Sequence, residues 1–167
     1  MAVRRRKRVK SLKDYRQRLI IEAKKRLSEG EEDITIRALA KAVGISPSGV
    51  YKLFISKDQL ILEASRMLLE ELKAELERMD DPIQMLKRLH RFSIDSSHAL
   101  RFLMEKDPDM SITTMKQIVD TLAAKIGDRD MARMLARLVI MEGIMGGFSS
   151  DKMWVLVECG LKEVQSR

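Results

Sequence analysis

The chain has 167 residues, of which 45% are hydrophobic and 34% charged, with a formal net charge of +7; it is a globular chain of one domain or two small ones, too apolar to stay disordered. One Cys and two His exclude a disulfide framework and a zinc cluster. No apolar run nears the roughly 18 residues of a membrane span, and the basic N-terminus lacks the apolar stretch of a signal peptide, so a soluble, cytoplasmic protein with no membrane partner is expected.

Arg4 to Arg8 is an unbroken basic run, followed by Lys10 and Lys13. It has nothing with which to pack, and reads as a flexible arm over residues 1–10. Leu12, Tyr15, Leu19, Ala23 and Leu27 then form one apolar stripe, predicting an amphipathic helix that ends near Gly30.

Residues 35–57 carry the most specific pattern. Thr35 is placed to cap a helix whose apolar side is Ile36, Leu39, Ala40 and Val43, and Gly44 stands where a left-handed C-cap is wanted. Ser46 is placed to cap a second short helix, with Pro47 at its first position and Val50, Leu53 and Phe54 on its apolar side. Two short helices joined by a tight Gly turn predict a helix-turn-helix, the arrangement that seats its second helix in the DNA major groove. A basic arm beside such a unit often enters the adjacent minor groove, which makes Arg4, Arg5 and Arg6 candidate DNA contacts.

Beyond Ser56 a long helix runs to about Arg78, ended by Asp80-Asp81-Pro82; a second runs from Pro82 to about Ser96. A short segment follows at 100–104, then a turn at Asp107-Pro108-Asp109 and a helix marked by Met115, Ile118, Val119, Leu122 and Ile126. Residues 130–147 and 153–161 are apolar around most of the helical circumference, which predicts burial on more than one side. The expected fold is all-α: a three-helix DNA-binding domain over 11–57, then a short helical dimerisation domain over 58–167, to which the family resemblance given below adds a regulatory, effector-binding role.

Charge is divided in the same way. Residues 1–58 hold 16 Lys/Arg against 7 Asp/Glu, and residues 59–167 hold 16 against 18. The basicity therefore lies with the helix-turn-helix, as a nucleic-acid partner requires. Arg37 sits in the first turn of its helix, where a cation opposes the helix dipole, so a phosphate or guanine partner is expected. Lys57 opens the long helix, where a cation and free backbone N–H groups together favour a phosphate.

For self-association, Gly143 and Gly147 lie four apart on one helical face, next to Leu135, Leu138, Val139, Trp154, Val157 and Leu161. These eight residues are the expected contact of a two-fold dimer built as a four-helix bundle. Gly147 is also read, with Gly146, as the plain end of its helix. Met79, Met85, Met104, Met110 and Met115 either line an adaptable pocket or pack as ordinary core. His90 and His98 are read as satisfied core or surface residues, and Arg101 with Glu105 as a helix-surface pair. No nucleophile elbow, phosphate loop or paired acid is present, so neither an enzyme nor a cofactor is expected.

The stretch from about 15 to 70 resembles the tetracycline-repressor (TetR) family. Gly30, Thr35, Leu39-Ala40, Ala42-Val43-Gly44-Ile45-Ser46, Val50-Tyr51, Phe54 and Lys57-Asp58-Gln59-Leu60 follow the family pattern in order. The resemblance implies a dimer on a palindromic double-stranded DNA operator, with C-terminal helices that dimerise and often hold a small apolar or amphipathic effector. By position, Tyr51 and Lys57 correspond to phosphate contacts and Arg37 to a residue that reaches a base edge. Ser46, Ser48, Gly49 and Lys52 fall on or beside the groove-facing surface. The sequence departs from the pattern at Leu53, where the family often has His, and at the pair Ser48-Gly49; the shorter C-terminal part leaves less chain to enclose a ligand. A ligand-responsive repressor is the leading expectation; a DNA-binding assembly or nucleoid-associated factor of the same fold, without an inducer, is the alternative.

Overall fold

A computed structural model of the protein describes residues 11–146 and 150–166. Among them the chain is entirely helical outside its turns: α1 (Leu12–Ser28), α2 (Ile36–Val43), α3 (Pro47–Tyr51), α4 (Lys57–Glu77), α5 (Pro82–Asp95), α6 (Ser97–Lys106), α7 (Pro108–Ile126), α8 (Arg129–Met145) and α9 (Ser150–Gln165). The candidate residues Arg4, Arg5, Arg6 and Gly147 lie outside the described residues.

Side-chain caps set most helix starts. Ser11, Thr35, Ser46, Ser56, Asp81, Asp107 and Asp128 each accept a hydrogen bond from a backbone N–H in the first turn of the following helix. Such a bond satisfies a donor that the helix itself leaves open, and contributes about 1 kcal/mol. Gly44 closes α2 in the left-handed conformation, φ 81°, with its N–H on the Ala40 carbonyl. A side chain there would be strained, so Gly44 is what lets α2 end and the chain turn into α3.

The expected α1 stripe is displaced at its start. Leu12 is 72% exposed, and the buried face is Leu19, Ile20, Ala23 and Leu27. The expected turn at 107–109 is instead a helix start: Asp107 caps, Pro108 occupies the first position, and α7 begins there rather than near Met115. Pro lacks only an N–H that the first turn does not use, so it opens a helix as readily as it breaks one. Arg101 does not pair with Glu105. It reaches Glu32, ahead of α2, at 3.4 Å, while Glu105 pairs with Lys106 at 2.8 Å.

α4 joins the two halves of the chain. It runs parallel to α1: Arg16 bonds Glu63 and Lys24 bonds Glu71, both pairs 47 residues apart. It also packs against α6 and α7. Behind it α8 lies between α5 and α7, and α9 packs on α8.

The α5–α8 contact corrects the expected role of Gly143. A Cβ at Gly143 would fall 2.0 Å from the Ser93 Oγ and 3.1 Å from the His90 carbonyl oxygen. The helix that approaches this glycine is therefore α5 of the same chain, not a partner's helix. Leu135, Val139 and Val157 are fully buried, and Leu161 nearly so, inside the same core. Their apolar surface is consumed within one chain, because α5 and α7 flank α8 and α9 seals it. Leu138 and Trp154 remain half-buried.

Beside Gly143, His90 Nε2 meets the Glu142 carboxylate, and the Trp154 ring stands edge-on to His90 at 5.6 Å. The pair is nearly buried, with side chains 11% and 10% exposed. His90 is thus a satisfied core histidine.

Candidate nucleic-acid interface

Residues 34–57 contain Arg37, Lys41, Lys52 and Lys57 and no Asp or Glu. All four cations are exposed, and none forms a hydrogen bond or ion pair among the described residues. α1 differs: Arg16, Lys24 and Arg26 are each held by a carboxylate, from Glu63, Glu71 and Glu22 respectively. Arg37 and Lys41 lie on α2, Lys52 just past the end of α3 and Lys57 at the start of α4. Leaving four exposed cations without acids is unhelpful to folding and favourable for a polyanion.

Local capping fixes where these groups stand. Thr35 Oγ1 accepts from the Ala38 N–H at 3.2 Å, which sets Arg37 in the first turn of α2, exposed. Ser46 Oγ accepts from the Gly49 N–H at 3.1 Å and lies 3.0 Å from Ser48 Oγ, so the two hydroxyls act as one polar group at the head of α3. Gly49 is half-buried, and a Cβ there would lie 3.3 Å from Ser46 Oγ. Its missing side chain keeps that cap uncrowded. Tyr51 is 57% exposed on the last turn of α3, so its ring is largely outside the core, whereas Phe54 is buried under Arg16.

The link from α3 to α4 is braced by Gln59, which the sequence pattern gave no role beyond its place in the Lys57-Asp58-Gln59-Leu60 match. Gln59 Oε1 accepts from the Ile55 N–H at 2.8 Å, while the Gln59 N–H donates to Ser56 Oγ at 3.1 Å. The Ser-x-x-Gln spacing at 56–59 is the available signal. This brace fixes the start of α4, where Lys57 is exposed, two residues beyond Ile55, which is 91% exposed. Lys41, one turn beyond Arg37 on α2, is the other residue missed; its four-residue spacing from Arg37 marks it.

A three-helix unit, with two short capped helices at a left-handed glycine and an acid-free cationic surface on them, defines a helix-turn-helix DNA-binding domain. The family comparison agrees. Residues 26–64 match the family described as "Bacterial regulatory proteins, tetR family". Residues 26–64 thus carry a tetR-family DNA-binding domain, which supports a DNA-binding transcriptional regulator. No curated protein matches the chain significantly. Among the described residues no helix is long and apolar enough to cross a membrane, and no His/Cys/Asp/Glu group is arranged to hold a metal ion.

The C-terminal helices carry two further features. An outward stripe on α8 and α9 is apolar and exposed: Met134, Met141, Met145, Val155 and Leu156 are each 53% to 72% accessible. A cavity of about 280 Å³ lies where α4, α6, α7 and α8 meet, walled by Leu69, Leu100, Met104, Met115, Ile140 and Ile144, with Arg137 its one charged residue.

Proposed function

We propose that the protein is a dimeric repressor that occupies a palindromic operator and is released by a small-molecule effector. The observation that carries the DNA half of this reading is the acid-free run 34–57, whose four cations have no hydrogen-bond or ion-pair partner among the described residues. In the proposed docking α3 enters the major groove, with Ser46, Ser48 and Gly49 at its head. Arg37 reaches a base edge. Tyr51, Lys52 and Lys57 hold phosphates on either side, and Arg4, Arg5 and Arg6 extend into the neighbouring minor groove.

The dimer supplies the second half-site. The exposed stripe of Met134, Met141, Met145, Val155 and Leu156 supports its placement, with half-buried Leu138 and Trp154 beside it. An apolar surface of this kind on a chain this small is what a self-complementary contact would cover.

Release follows from α4. The same helix presents Lys57 at its start and Leu69 in the cavity wall, twelve residues or about 18 Å along. Arg66 Nε also donates to Asp107, the cap of α7, at 2.8 Å. A ligand that fills the cavity pushes α4 away from the facing helices α6, α7 and α8, and a rigid helix transmits the shift to Lys57. Two half-sites one helical turn apart then lose register.

The test is selection of duplexes bound by the full chain from a random pool. An inverted repeat with half-sites separated by one turn, bound two chains at a time, is the expected result. Bound sequences with no repeat, or many unrelated sites along the chromosome, would replace the repressor with the nucleoid-associated alternative.

A further inference from the structure

The cavity does not end at its apolar walls. Ile112, Met115, Arg137 and Ile140 line both it and an adjoining groove of about 420 Å³ between α7 and α8. The groove is of another character: Lys116, Arg129, Arg133 and Arg137 line it, with Asp120 the one carboxylate. Arg129, Arg133 and Arg137 recur every four residues along one edge of α8. Like charges at that spacing repel, so the row does nothing for the helix. Arg129 is held by Asp120 at 2.7 Å and Arg133 by Asp130 at 3.4 Å. Arg137 and Lys116 have no hydrogen bond or ion pair among the described residues, and Arg137 stands where the apolar cavity opens into the groove.

We infer that this continuous site takes a single-chain amphiphile, with its apolar tail in the cavity and a phosphate-class head on Arg137, Arg133 and Lys116. The inference rests on the effector reading above and names its chemical class. A neutral apolar ligand would use the cavity and leave Arg137 and Lys116 idle. A small inorganic anion would leave the apolar walls wet. An amphiphile with a multiply charged head matches both ends, and arginine forks meet phosphate oxygens two at a time. Cavity and groove together lie within the size range of small-molecule sites. Four helices wall the apolar end, which suits a free molecule rather than the flat face of a bilayer.

The test is calorimetric titration of the full chain with decyl phosphate, decan-1-ol and inorganic phosphate, each below its aggregation limit. Decyl phosphate is expected to bind at least tenfold more tightly than decan-1-ol, and inorganic phosphate not measurably. Arg137→Gln should weaken decyl phosphate tenfold or more and leave decan-1-ol unchanged; Arg137 has no partner to lose, so the fold is unaffected. Lys116→Gln should act the same way, more weakly. Equal affinity for the alcohol and the phosphate, indifference to Arg137→Gln, or a flat decyl phosphate titration would each overturn the inference. So would Arg137-dependent pelleting with phosphatidylglycerol vesicles, which would make the ligand a membrane lipid. Operator gel shifts on the same preparations separate the two proposals. DNA binding without decyl phosphate binding removes only the ligand class, and decyl phosphate binding without DNA binding removes only the repressor.

Discussion

Gly143 and Ser93 face each other so closely that a Cβ on the glycine would fall 2.0 Å from the serine Oγ. Ser93 Oγ donates to the His90 carbonyl at 2.7 Å and lies 3.4 Å from the Val139 carbonyl, so it has little freedom to turn away. The absence of a side chain at position 143 is what brings α5 and α8 together beside the His90–Glu142 pair.

Gly143→Ala is therefore expected to destabilise the fold. Ala improves helix propensity by roughly 1 kcal/mol, but overpacking costs about 1–3 kcal/mol, and the clash involves a Cβ and a carbonyl as well as the hydroxyl. Ser93→Gly should recover part of the loss in the double variant. Urea denaturation of the four chains measures this; a Gly143→Ala chain as stable as the parent would contradict the packing.

Self-association is expected to depend on the outer stripe and not on Gly143. Leu156→Glu and Met141→Glu place a charge on residues that are each 53% exposed. Both should shift the protein to monomer at micromolar concentration while circular dichroism stays that of the parent. Sedimentation velocity decides it. Dimers that persist in both variants would move the interface elsewhere.

Arg37→Ala should cost about 1–3 kcal/mol of operator affinity and relax preference at one base position. Lys57→Ala and Lys41→Ala should weaken all sequences to a similar extent, since phosphate contacts carry no base information. Binding profiles over single-base operator variants distinguish these outcomes. Unchanged affinity in Arg37→Ala and Lys57→Ala would refute the docking.

Operator binding should weaken steeply with salt. With about 6–10 phosphates neutralised per dimer, affinity falls on the order of 10³–10⁵ between 50 and 200 mM salt. Removing residues 1–9 should lower that slope and leave the thermal midpoint in place, because of the 16 Lys/Arg in residues 1–58 the arm holds Arg4, Arg5, Arg6, Lys7 and Arg8. A slope that is unchanged on deletion would show that the arm does not touch DNA.

The helix-turn-helix was legible because its information is local. Caps at Thr35, Ser46 and Ser56, the left-handed turn at Gly44 and the apolar spacing of Leu39, Val43 and Val50 each involve residues within a turn or two of one another. Short-range hydrogen bonds and helical period read directly from sequence. Lys41 and Gln59 were readable by the same means.

What only the tertiary structure decided is what each buried face meets. Helical period says that Leu135, Val139, Val157 and Gly143 share apolar faces, but not whether the neighbour is α5 or another chain. Contact between segments 46 or more residues apart, as between Ser93 and Val139, depends on the path of the whole chain. The same is true of the cavity and its cationic groove. Arg137 reads in sequence as one more exposed charge; it becomes a candidate ligand contact only because α7 and α8 bring it to the mouth of an apolar space.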